Sequence, residues 1–266
     1  MRRSDCVQYD EPFGWWGPVW EPPALRTIRD LVRDGTLTAE TAALLWTLLA
    51  RRASIVVAAG PGGAGKTTLL TALLDLLPVD TRRVYVRGCY ESFAFLDDPT
   101  TDPDQTYLLV NEISAHLPIY LWGPAVLRVL DTARGGYRLA ATAHATTVEG
   151  FVQTLAGYPL RVPADAIAAI DLVVVLDAWK EGETVRREVA MVAALALTPD
   201  GKGLHVERLV ERTRRGEPPV LDVAAVTGVI ARLTGRPPSD IAHEASGVLR
   251  EIEERFAALG SLPTAL

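Results

Sequence analysis

Residues 55–77 read IVVAAGPGGAGKTTLLTALLDLL, and the rest of the chain is read outward from them. Ile55 to Ala59 is a short run without a polar residue, as strands buried on both faces of a parallel sheet tend to be. Gly60-Pro61-Gly62-Gly63-Ala64-Gly65-Lys66-Thr67 then fits G-x-x-x-x-G-K-[ST], the P-loop pattern. Behind it Leu69, Leu70, Leu73, Leu74 and Leu77 lie on one helical face, which predicts a helix over residues 66–77, ended by Pro78. The glycines let main-chain N–H groups converge on phosphate oxygens with no Cβ in the way, and the helix start adds partial positive charge. On this reading Gly60, Pro61, Gly62, Gly63, Ala64 and Gly65 form the cradle and Lys66 reaches the β- and γ-phosphates. Thr67 holds Mg²⁺ through its hydroxyl, and Thr68 supports the α-phosphate. The pattern predicts a site for a nucleoside triphosphate with Mg²⁺. ATP is the ligand and hydrolysis the chemistry taken forward, although no base-reading motif separates adenine from guanine.

Around this stretch the chain alternates. Helices are predicted over residues 24–34, stopped by Gly35, and 38–52, with Thr38 as N-cap. Strands are predicted at 84–87, 107–110, 137–142 and 171–176, and helices at 124–134 and 148–155. Alternating strands and helices predict an α/β fold: a RecA-like P-loop core with a mostly parallel sheet covered on both faces. After Asp177 the pattern changes. Residues 185–192 and 205–209 read as an edge hairpin around Pro199-Asp200-Gly201. The tail from Val220 reads as helical, in two pieces broken at Pro237-Pro238, with Ser239 as an N-cap. The expected organisation is an N-terminal extension and helical lead-in (1–52), a core (53–216) and a C-terminal helical tail (217–266). Phe13, Trp15, Trp16 and Trp20 sit in an irregular opening segment, either packed on the main domain or forming an exposed patch for a partner.

Composition bounds the partners. The 266 residues are 48% hydrophobic and 23% charged, an ordinary globular balance. A net charge of −6 gives no basic patch, so no nucleic-acid partner is expected, and the stretch from Arg212 to Arg215 reads as solvated surface. Cys6 and Cys89 form no metal-like cluster and suit a reducing cytoplasm. No apolar run approaches the ~18 residues of a membrane-spanning helix, and Asp5, Asp10 and Glu11 precede any apolar stretch, unlike a signal peptide. A cytoplasmic protein is expected, with membrane contact only peripheral or through a partner.

The residues resemble the motor ATPases of type II and type IV secretion and of type IV pili, over about residues 31–209. LVRDGTLTAETAALLWTLLARRASIVVAAGPGGAGKTTLLTALLDLLP looks like the helical lead-in and Walker A region of that family. TYLLVNEIS stands in the Walker B place, and GGYRLAATAHATTVEGFVQTL looks like its His box, the discriminating feature. IDLVVVLDAWKEGETVRREVAMV resembles its late strand and hairpin. The resemblance implies that Glu112 is the Walker B glutamate beside Mg²⁺, that His144 senses the γ-phosphate, and that Glu91 polarises the attacking water, with Asp97 and Asp98 as rivals for that last place. Taken alone, Glu112 also reads as a loop glutamate and His144 as an ordinary structural histidine. The resemblance further implies a hexameric homo-oligomer docked on an inner-membrane secretion or pilus platform protein.

The chain departs from the pattern in three places. Ser114 and Ala115 stand where the family has an Arg and an acid; the acidic box before Glu91 is thinned; and a full N-terminal domain does not fit before the P-loop strand. Arg83, Arg87, Arg128, Arg134 and Arg161 are unranked as arginine fingers. Two other readings therefore stay open: a degenerate ATP-binding switch or subunit with little hydrolysis, and a P-loop kinase of a small molecule.

Overall fold

The apolar run at residues 55–59 forms strand β1 (Ile55–Ala59), with every residue buried. In the computed structural model, residues 9–12, 14–16, 25–60, 63–237 and 245–259 are described. The remaining strands are β2 (Arg82–Val86), β3 (Thr106–Ile113), β4 (Arg138–His144), β5 (Leu172–Glu181), β6 (Thr184–Leu197), β7 (Leu204–Glu211) and β8 (Val220–Leu221). They make one sheet in the order β2-β3-β4-β1-β5-β6-β7-β8. Pairing is parallel from β2 through β5 and antiparallel from β5 to β8.

The α-helices among the described residues are α1 (Ile28–Arg33), α2 (Ala39–Leu49), α3 (Lys66–Leu74), α4 (Pro124–Arg134), α5 (Val148–Ala156), α6 (Ala164–Ile167), α7 (Val223–Thr234) and α8 (Ala245–Leu259). They divide between the two faces of the sheet. Ile55, Val57 and Ala59 point into a core shared with α1, α2, α3, α7 and α8. Val56 and Ala58 point into a core shared with α4, α5 and α6. This two-sided burial is why β1 carries no polar residue. The fold is the α/β, mostly parallel, helix-covered sheet expected of a RecA-like core.

Local chemistry sets most boundaries. Thr27 and Thr38 cap α1 and α2 through their side chains. The stop of α3 at Leu74 is earlier than its leucine spacing predicts. Leu76 and Leu77 donate to Leu73 and Leu74 in a tightened turn, yet both remain buried, so the apolar period outlives the helix. Strand β5 runs five residues past the expected Leu176 because β6 pairs with it along its whole length, to Glu181 opposite Thr184. The predicted edge hairpin is corrected in the same way: β6 lies between β5 and β7, and β8 is the outer strand. Arg212, read as solvated, is only 8% exposed at its side chain and sits 3.4 Å from Glu188. Cys89 is a free, exposed thiol. Cys6, Phe13, Trp20 and Ser239 lie outside the described residues.

The opening segment packs onto the core, as one of its two readings holds. Trp15 is buried, donates from Nε1 to Thr71 at 3.0 Å and meets Tyr85 edge to face. The main-chain N–H of Tyr85, on β2, donates to Tyr9 O at 2.8 Å. At the other end of the chain, Arg51 grips Glu251 with two hydrogen bonds of 3.0 and 2.6 Å, and Arg255 adds two more while stacking over Trp46. This fastens α8 to α2. No described helix is long and apolar enough to cross a membrane.

The hydrogen bonds from Arg51 hold the Glu251 carboxyl below its ordinary 4.5. A depressed carboxyl contributes stability that is complete above its unfolded value and is lost as pH falls through its folded one. Glu251→Gln is therefore expected to cost about 1 kcal/mol at neutral pH, seen as faster amide exchange in α8. The difference from the parent should shrink as pH drops below about 4.5. Equal exchange at neutral pH would mean that apolar contacts alone hold the helix.

Candidate functional site

The strand order inserts β4 between β1 and β3, so three strand ends meet at the carboxyl edge of the sheet. His144 closes β4 opposite Ala59, the last residue of β1. Ala143 faces Ile113 at the end of β3, after a register shift that follows Val110. Ligands of open parallel sheets bind outside these carboxyl ends. Here the Gly-rich turn leaves β1 and enters α3. Gly65 caps α3 at φ 95°, a left-handed conformation natural to glycine. A Cβ on Gly60 would fall 2.5 Å from Thr146 Cγ2, so the turn can pass the β4–α5 loop only without a side chain there. Pro61 and Gly62 lie outside the described residues.

Lys66 opens α3 and is 8% exposed. Its Nζ lies 3.3 Å from Glu112 Oε2. The carboxylate is similarly enclosed, at 9% exposure, so the two opposite charges shield one another in a poorly hydrated corner. His144 stands beside them. Burial first, then the Lys66 charge, hold its imidazole below the ordinary value of 6.5; Glu112 pulls the other way, and His116 adds a smaller downward push. The ring is thus kept neutral at physiological pH. His116 lies in the β3–α4 loop and meets His144 edge to face, ring centroids 4.8 Å apart.

Lys66 and Glu112 line a cleft of about 820 Å³, whereas His144 and His116 stand beside them and do not line it. Gly63, Ala64, Gly65, Lys66, Thr67 and Thr68 form one wall, with Asn111 and Glu112 behind. The lead-in contributes Trp16, Arg26, Leu31, Asp34 and Thr36, and the β5–β6 hairpin contributes Thr184, Val185, Arg186 and Arg187. Arg187 reaches across to donate from Nη2 to Gly63 O at 3.1 Å.

The structure brings together Lys66, Thr67, Glu112 and His144. It does not bring Glu91 to them. Glu91 accepts from the Tyr9 hydroxyl at 2.8 Å and from the main-chain N–H groups of Arg87 and Phe93, and it does not line the cleft. Its rival Asp98 accepts from the hydroxyl and main-chain N–H of Thr100 and pairs with Arg82, which together lower its pKa to about 2. None of the five unranked arginines lines the cleft. Arg83 donates to Leu74 O, Arg128 stacks on Phe93, Arg134 pairs with Asp131 and Asp165, and Arg161 lies over Tyr158. Arg87 lies over the ring of Tyr9.

Sequence reasoning missed His116, Arg26, Arg186 and Arg187. For His116 a signal existed: the chain has only four histidines, and one follows Glu112 by four residues. For Arg187 there was none, because its place depends on how far the β5–β6 ribbon extends.

No family model matches the chain, and no curated protein does. Among solved structures it is similar to the VirB11 ATPase from the type IV secretion system of Brucella suis, solved in complex with sulphate. Identity is 18%, with 79% of this chain and 67% of that one covered and a TM-score of 0.40. It is also similar to the ATPase DotB of Legionella pneumophila, at 15% identity and a TM-score of 0.38, covering 79% of this chain and 55% of DotB. The chain thus spans about half the length of DotB.

Proposed function

We propose that the chain binds ATP with Mg²⁺ in this cleft and hydrolyses it. The observation that carries the reading is the convergence of the Lys66 ammonium, the Glu112 carboxylate and the neutral His144 ring around a Gly-rich turn at a helix start. Phosphates entering the cleft meet the main-chain N–H groups of the turn and the positive end of α3. Lys66 exchanges Glu112 for the β- and γ-phosphates, which are stronger counter-charges. The Thr67 hydroxyl and the released Glu112 carboxylate are hard oxygen donors beside the cradle, and that donor set fits Mg²⁺. The ion supplies charge neutralisation on the phosphates when bound. His144, held neutral, can hydrogen-bond the γ-phosphate and report its loss. Arg187 is the cation nearest the cradle from the hairpin side and adds a charge-assisted bond to the nucleotide. Rate arises from placement and charge rather than from covalent chemistry.

Copies assembled as a ring on a secretion or pilus platform protein extend this reading, supported by the His-box and Walker resemblance in the chain. Sizing by light scattering with and without a nonhydrolysable ATP analogue tests it: a ring that forms with nucleotide supports the motor. The local ties of Glu91 favour a second reading, an ATP-binding switch with little turnover, for which a monomer under both conditions is expected.

Lys66→Ala is expected to abolish ATP binding in a calorimetric titration; unchanged affinity and turnover would refute the site. Glu112→Gln should retain binding while turnover falls about a hundredfold. Arg187→Ala is expected to weaken ATP about tenfold, the worth of one charge-assisted bond. Glu91→Gln should lower stability by about 1–3 kcal/mol in denaturant unfolding, because two main-chain donors lose a charged acceptor. A variant as stable as the parent but without turnover would instead place Glu91 at the reacting water.

A further inference from the structure

We propose that in the nucleotide-free chain Glu112, His116 and His144 form a binding site for a borderline divalent transition-metal ion of the Zn²⁺ class, which shares Glu112 with the proposed Mg²⁺ position and differs from it by its two imidazoles. One ligand atom from each residue lies within 4.8 Å of the other two. Two imidazoles and a carboxylate make up a donor set typical of zinc sites with one open coordination position. Imidazole nitrogen suits Zn²⁺, Cu²⁺ or Ni²⁺, whereas Mg²⁺ takes oxygen ligands, so the two histidines discriminate between the ions. Bonds of about 2.0–2.2 Å put tetrahedral ligand atoms about 3.4 Å apart. Closing onto an ion therefore asks for side-chain movements of about an ångström at an exposed rim, not for a change of backbone.

The backbone already holds the three in place. Glu112 and His144 sit at the ends of neighbouring strands β3 and β4. The loop bearing His116 is closed back on β3 by two main-chain bonds, Leu121 N–H to Glu112 O at 2.9 Å and Ser114 N–H to Leu121 O at 3.1 Å. Ser114 then orients the ring. Its Oγ lies 2.7 Å from His116 Nδ1 and accepts the His116 main-chain N–H at 3.1 Å. With Nδ1 occupied by the hydroxyl, Nε2 is the nitrogen left to ligate, the outer-sphere arrangement seen for metal-bound histidines. Ser114 is thus a positioning residue. The edge-to-face packing of the two rings at 4.8 Å keeps both at one opening. A fourth coordination position is left for water or an anionic ligand.

The experiment uses the full chain, stripped with a chelator and without nucleotide, so it does not depend on the proposed hydrolysis. Co²⁺ is titrated in an excess of Mg²⁺ while the visible d–d absorption is followed, and Zn²⁺ is then added in competition. A saturable band at one Co²⁺ per chain, bleached by Zn²⁺, is expected. His116→Ala and His144→Ala should each weaken it by at least about tenfold. Ser114→Ala should weaken it about tenfold with restoration in Ser114→Thr, and Cys89→Ser should leave it intact. No band in the parent chain overturns the proposal. So does a band that survives in the double variant His116→Ala/His144→Ala, shown to be folded by circular dichroism. A Lys66→Ala chain that still binds ATP would sink the proposed function and leave this result standing.

Discussion

The contact between the Lys66 ammonium and the Glu112 carboxylate organises the candidate site. Each group is nearly withdrawn from water, and a lone charge there would cost several kcal/mol. Each therefore depends on the other until something better charged arrives. On the proposed function a polyphosphate is that ligand, taking the lysine and freeing the carboxylate for a cation. Burial and the Lys66 charge disfavour protonation of His144, while Glu112 pulls the other way, so the histidine stands between the two members of the pair electrostatically.

Sheet order makes this contact possible. β4 separates β1 from β3, and the long Lys66 side chain spans the gap between their ends to reach Glu112. The last residue of β4, His144, thereby ends beside the Lys66–Glu112 contact. The antiparallel half of the sheet has a different task. Its β5–β6 ribbon extends beyond the parallel strands until Arg187 reaches Gly63, turning an open strand edge into a cleft with two walls.

Much of this was legible in residues. The apolar run before Gly60, the Gly-Lys-Thr step, the leucine stripe and the Thr38 cap each act over a few neighbours, and each appears where its chemistry places it. So does α4, bounded by Pro124 at its start and the Gly135-Gly136 pair after it. Less legible were features set by distant partners. The end of β5 is decided by pairing with β6, and the short α6 by packing under α4 and α5. The partners of Glu91 include Tyr9, 82 residues away. The cleft arginines belong to the same class, since a guanidinium on a long ribbon has no local signature.

The N-terminal strap across β2 carries a further consequence. Edge strands of sheets offer a row of unanswered main-chain donors and acceptors to any passing chain. Here Tyr85 N–H is already spent on Tyr9 O, and the Trp15 indole covers the ring of Tyr85. A chain clipped ahead of Trp16 would bare that strand. Its first failing would then be sticking to its own copies through β2, well before any loss of the phosphate-binding turn.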